Sequence, residues 1–205
     1  MAPDSTTSPR PRKFAVDNSV DFWENARRFP HHAPPDRRRT PDANVNDTST
    51  TPSEFLSQTF FVPSLSATDK QGVLAELADV VVARGIVPAA DRDAILAALV
   101  EREEKMSTGM QYGIAIPHAK TEFVDRLVTM IAVSRAGVPF ETLDGEPASI
   151  FIATLSPPED ANSHIRFLAV VTRQLANRRV REKVLEAATK EDLVAAFERP
   201  EGASL

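Results

Sequence analysis

Two apolar runs near the middle of the chain, "LVTMIAVS" at 127–134 and "SIFIATL" at 149–155, decide how everything around them is read. Neither run alternates polar with apolar residues. A strand with one wet face alternates, whereas a strand covered on both faces reads as a continuous apolar run. The loop "LDGEP" (143–147) precedes the second run and "SPPEDANS" (156–163) follows it. The runs are far too short to cross a bilayer. They are therefore expected to be strands of a sheet that lies between layers of helices.

Working upstream, "IAI" at 114–116 is a further short strand. Before it, Ile95, Leu96, Leu99 and Val100 mark one face of a helix over about 91–104, and Val73, Leu74, Leu77, Val80 and Val81 mark another that begins near Thr68. Thr68 and Gln71 have capping-box spacing and Gly85 is a natural stop. "TFFV" at 59–62 is a first strand, which Pro63 ends or confines to a sheet edge. Downstream, a long helix is expected from about His164 to Asn177, then two shorter ones, the last starting at Thr189 with Asp192 as its capping partner. The order strand, two helices, strands, then helices predicts an α/β fold with a mixed β-sheet sandwiched between helices.

Composition narrows the function classes. A chain of 205 residues fits one domain, or one domain with a tail. The net charge of −5 gives no reason to expect a nucleic-acid partner, which usually requires a basic face. The absence of cysteine excludes disulfides, thiolate metal sites and cysteine nucleophiles. The opening "MAPDSTTSPRPRKF" lacks the apolar stretch of a secretory signal, so a cytoplasmic protein without membrane insertion is expected. Eight of the sixteen prolines fall in residues 1–54, among Ser, Thr, Asp, Asn and Arg and without a sustained apolar period. Such a segment buries too little surface to offset its ordering entropy, so 1–54 reads as a disordered tail and 55–205 as the folded domain. Within the tail, "SVDFWENARRF" around Trp23 could form a short helix, and it reads as a transient turn in preference to a docking motif; His31–His32 lack the spacing that would fix a metal geometry.

The chemistry concentrates around "GIAIPHAK" at 113–120. Pro117 keeps Ile116 extended, so the strand is expected to end at a fixed place with His118 projecting from its tip. A neutral imidazole is a fair nucleophile near pH 7. Upstream, "REEKMSTG" puts Arg102 at the end of a helix and Ser107–Thr108 before a glycine. The arginine fork suits phosphate oxygens. Downstream, His164 opens the longest helix, where free N–H groups favour an anion. Taken singly, each residue has a duller reading: a strand-end cap, a solvated partner of nearby glutamates, turn formers, an exposed first-turn residue. A metal enzyme using His118 and His164 would need a third ligand, and no carboxylate lies at motif spacing from either. A pure binding module would use the same residues as a catalyst.

In combination, "RE" at 102–103, "STG" at 107–109, "GIAIPHAK" at 113–120, "LDGEP" at 143–147 and a histidine opening an apolar helix at 164 carry a specific signal. Over about residues 55–200 the chain resembles the enzyme IIA domain, fructose/mannitol class, of the bacterial phosphoenolpyruvate-dependent sugar phosphotransferase system, a class that includes nitrogen-regulatory IIA proteins. The resemblance implies an α/β sandwich and a protein phosphotransferase component that needs no metal or other cofactor. It implies that His118 accepts a phosphoryl group from the carrier protein HPr and passes it to a IIB component, or that the phosphorylation state governs binding to a regulated protein. It places His164 and Arg102 as charge-stabilising partners. With such a transfer, the hydroxyls of Ser107 and Thr108 and the loop amides near Gly113 are expected to hydrogen-bond the phosphoryl group. One departure is evident: where relatives often carry a glycine-containing stretch, this chain has Met110, Gln111 and Tyr112, which should make the loop stiffer and bulkier.

Overall fold

The computed structural model describes residues 52–160 and 162–198. The expectations for residues 1–51, including the Trp23 stretch and His31–His32, lie outside the described residues.

The two central runs form the longest strands, β4 (Val128–Val138) and β5 (Ala148–Ser156), which pair antiparallel with Ile131 opposite Ile152 and Ala132 opposite Phe151. Strand β1 (Phe60–Val62) adds parallel to the outer edge of β4. Two short strands, β2 (Ile114–Ala115) and β3 (His118–Lys120), add parallel to the other edge, along β5. The sheet is thus mixed, as expected.

Side chains alternate across this sheet and both sets are buried, which is why the strands read as unbroken apolar runs. Met130, Ala132, Phe151, Ala153 and Leu155 face one layer, made by α2 (Lys70–Ala83) and α3 (Arg92–Lys105) through Val73, Leu74, Leu77, Ile95 and Leu99. Ile131, Val133, Ile150 and Ile152 face the other, made by α1 (Pro52–Gln58), α4 (Ser163–Leu175), α5 (Arg178–Glu186) and α6 (Lys190–Phe197). Leu56, Phe167, Val171, Leu175, Val184, Leu193 and Phe197 fill that second core. Each such side chain taken fully from water contributes about 1.5–3 kcal/mol. Thr189 and Asp192 form the expected capping box of α6.

Three local expectations are corrected. Helix α2 is capped by Asp69, whose carboxylate accepts from the Gly72 amide at 2.8 Å, and not by Thr68 with Gln71. Asp69 lies one residue closer to the first turn and is among the strongest capping residues. Helix α1 was not foreseen, and it straddles the expected start of the folded domain at residue 55. At seven residues it is too short to show a period, although Pro52 suits a first helical position. Lastly, pairing does not stop at Pro117. The Pro117 carbonyl accepts from the Thr154 amide at 3.0 Å, and β3 continues along β5 with His118 in register with Thr154. Proline lacks a donor, and here it occupies the gap between two short edge strands, a place that tolerates it.

Candidate functional site

His118 is therefore held at the head of an edge strand. Its Nδ1 lies 2.8 Å from the Ile116 carbonyl oxygen. A carbonyl can only accept, so Nδ1 carries the proton and Nε2 keeps its lone pair. The other neighbour agrees: the Arg102 Nε–H donates to Nε2 at 3.0 Å. Arg102 comes from the last turn of α3 and is steadied by donating from Nη1 to the Met106 carbonyl at 2.9 Å. Backbone and guanidinium thus select one neutral tautomer and one rotation of the ring.

His164 stands in the first turn of α4, with its ring centroid 5.0 Å from that of His118 and the planes inclined by 37°. The turn that leads to it is shaped by Asp160, whose carboxylate accepts from the Ser163 amide at 2.9 Å and the Asn162 amide at 3.2 Å. These bonds hold the Asp160 carboxyl below the usual carboxylate range. His164 Nδ1 is 2.7 Å from the hydroxyl oxygen of Thr154 on β5.

Both imidazoles have pKa values below the ordinary histidine value of 6.5. For His118 the chief cause is burial, reinforced by the positive charge of Arg102 and opposed by the Ile116 carbonyl and Glu103. For His164 burial again leads, followed by the neighbouring His118, with Asp160 pulling the other way. At neutral pH both rings are uncharged, which is the state a nitrogen nucleophile requires.

A cavity of about 340 Å³ opens beside His118, lined by Arg102, Lys105, Lys120 and Glu101 among others. Three cations against one carboxylate suit a phosphoryl group. A larger groove of about 920 Å³ runs past Phe55, Glu122, Asp125, Arg126 and Asp160. Its lining is more acidic than basic and does not suit an anion.

The structure brings Arg102, His118 and His164 together, and gives the Ser107 and Thr108 hydroxyls and the Gly113 carbonyl other partners. The Ser107 hydroxyl reaches Glu103 and the Phe140 carbonyl, and the Thr108 amide and hydroxyl both donate to Glu103. Gly113 takes φ +67°, and its carbonyl accepts from the Ser149 and Ile150 amides, fastening the start of β2 to β5. Glu103 is the residue that sequence reasoning quoted but gave no task. It is 6% exposed, and Lys70 of α2 completes its shell at 3.0 Å. Nothing in the local sequence marks a carboxylate as buried when its counter-charge comes from another helix. Tyr112, in the departing loop, adopts φ +65°, its amide donates to Asp144 at 2.7 Å, and the Arg181 guanidinium stacks 4.7 Å from its ring centroid.

Among the described residues no group of three or more His, Cys, Asp or Glu is placed to hold a metal ion. No described helix is long and apolar enough to cross a membrane.

A neutral histidine faced by an arginine and beside a second histidine stands at the edge of a mixed sheet between helices. Residues 54–199 match the family "Phosphoenolpyruvate-dependent sugar phosphotransferase system, EIIA 2", and the chain belongs to that family. Over 149 residues it is 40% identical to a PTS system fructose-specific EIIA component of Haloferax volcanii, covering 72% of this chain and 92% of that protein. The fold is similar to that of the nitrogen regulatory protein IIA-Ntr of Neisseria meningitidis, with TM-score 0.58, 23% identity and coverage of 71% and 98% of the two chains. It is also similar to mannitol enzyme IIA in a complex with phosphorylated enzyme IIB from Escherichia coli, with TM-score 0.56, 18% identity and coverage of 67% and 92%. The chain is a phosphotransferase-system component of the EIIA type, and the class of reaction is phosphoryl carriage.

Proposed function

We propose that His118 carries the phosphoryl group on Nε2, taking it from an HPr-type phosphocarrier and delivering it to a IIB component. The observation that carries this reading is the pair of contacts on one ring: Nδ1–H is committed to the Ile116 carbonyl, and Nε2 faces Arg102. The Nε2 lone pair forms the new N–P bond while the bond from phosphorus to the donor nitrogen breaks, and the donor imidazole leaves with that electron pair. No proton has to move. Phosphoryl transfer of this kind has a loose transition state, so the protein's contribution is alignment and charge stabilisation. Arg102 can turn its donors from Nε2 to the phosphoryl oxygens as the bond forms. Lys105 and Lys120 line the cavity beside His118, and the His164 ring centroid lies 5.0 Å from that of His118. Ser107, Thr108 and Gly113 contribute by holding the loop and the strand in place.

The test is incubation with enzyme I, HPr and labelled phosphoenolpyruvate. Wild-type protein should acquire acid-labile, alkali-stable label, and His118→Ala should acquire none while its melting temperature is unchanged. Label on that variant at the wild-type level would overturn the assignment.

The likeness to a nitrogen regulatory IIA protein favours a second reading, in which the two phosphorylation states bind a regulated protein differently. It uses the same His118. A labelled protein that passes no phosphoryl group to any IIB component would favour it.

A further inference from the structure

The contact between Thr154 and His164 has a direction that can be deduced. Thr154 is 1% exposed, and its hydroxyl oxygen lies 2.7 Å from His164 Nδ1. Among the described residues that hydroxyl has no other partner. If Nδ1–H donated to the hydroxyl oxygen, the single hydroxyl hydrogen would be buried with nothing to accept it. If the hydroxyl donates to Nδ1, every polar hydrogen in the contact is satisfied and only oxygen lone pairs go unused. Leaving a buried donor unmade is the costlier of the two arrangements.

We infer that Thr154 is a positioning residue that fixes His164 as the Nε2–H tautomer, and so makes a neutral histidine a hydrogen-bond donor toward a phosphoryl group on His118. With the opposite tautomer, His164 would present a lone pair to the phosphoryl oxygens and repel them. The two histidines are then complementary. His118 holds its proton on Nδ1 and offers a lone pair at Nε2, while His164 accepts at Nδ1 and offers a proton at Nε2. One ring is set by a backbone carbonyl, which can only accept. The other is set by a hydroxyl, whose single proton has one place to go. Thr154 is in register with His118 across β3 and β5, so one strand position serves both rings. The tautomer itself does not depend on the proposed function, but its use in transfer does.

The experiment is long-range proton–nitrogen NMR of the imidazoles in the full-length, unphosphorylated protein, paired with the rate of labelling from phospho-HPr. Wild type should show His164 protonated at Nε2 and His118 protonated at Nδ1. Thr154→Val keeps the shape of the side chain and removes the hydroxyl. It should give His164 a mixture of tautomers and slow labelling by about tenfold, the lower range for loss of a supporting hydrogen bond at a reacting centre. Thr154→Ser should restore both. Nδ1–H on His164 in wild type would overturn the inference, as would a valine variant with the wild-type tautomer. A shifted tautomer with an unchanged rate would remove Thr154 from the reaction. Failure of the proposed function would look different: wild-type protein would take no label, and the tautomer of His164 would be unaffected.

Discussion

Glu103 clamps the loop after α3, and His118 is tied to that loop through Arg102 and Ile116, yet the two side chains reach opposite chemical states. Glu103 is a buried charge with a full shell: Lys70, the Ser107 hydroxyl, and both the amide and hydroxyl of Thr108. His118 is half-buried and uncharged, with one contact to each ring nitrogen. A carboxylate surrounded by donors has little left to offer chemically. An imidazole whose Nε2 lone pair meets only the Arg102 Nε–H can still form a bond, as the proposed function requires. The two are nonetheless coupled, because the loop Glu103 clamps supplies the Met106 carbonyl that steadies Arg102 and the Thr108 carbonyl that accepts from the Ile116 amide. Saturated polar contacts build the scaffold, and the less saturated ones lie where the proposed reaction would take place.

That contrast can be broken most directly by exchanging its effects. Arg102→Ala should slow labelling of His118 by about 10²–10³-fold, the usual result of removing one positioned donor from a developing charge, with little change in thermal stability. Glu103→Ala should do the reverse at first order. It should lower the unfolding free energy by about 3 kcal/mol, because Lys70 and the donors of Thr108 lose their acceptor. Denaturant unfolding separates the two, and equal loss of stability in both variants would erase the distinction. Glu103→Gln should fall between, since the amide oxygen still accepts.

A smaller effect sharpens the histidine side. Folding holds His118 and His164 below the ordinary value of 6.5, so the unfolded chain binds protons that the native state refuses. Stability should therefore be fully present above that value and decline as pH falls through and below it. Labelling should be steady at neutral pH and fall only at a lower pH than an ordinary histidine would give. Stability and rate measured across pH 5–8 check both, and a rate already falling at pH 7 would contradict the lowered values. The smallest expected effect lies at Tyr112, in the loop between α3 and β2. Tyr112→Gly should relieve a positive φ and raise stability by no more than about 1 kcal/mol, part of it offset by loss of the Arg181 stacking. A clear drop in melting temperature would show that the stacking dominates.

Much of this architecture could be read from the residues. Strands β4 and β5 announced themselves because both faces are covered, and α2 and α3 through apolar residues at helical spacing. What escaped was defined by partners and not by composition. "HAK" looks like loop and becomes β3 only because β5 offers an unpaired edge there. Helix α1 is too short for a period. In the site, Arg102, His118 and His164 were legible as motif members. The shell of Glu103 and the Thr154 contact were not, since each joins residues that only the fold brings together.

Strand β5 pairs with β4, β2 and β3, and both site histidines hang from it: His118 across its edge in register with Thr154, and His164 at the start of the helix that follows. Regions that open independently of the rest expose their amides long before the whole molecule unfolds. Here the route to such freedom is narrow: His118 leaves its place only if β3 and the Pro117 carbonyl are stripped from β5. The amides of Ala119 and Thr154 report that detachment directly: they should exchange with solvent deuterium more slowly than those of exposed loops, and loop-like exchange would show that the edge opens freely. A carrier built this way meets each partner with a finished surface, and the adjustment needed for transfer falls to side chains alone.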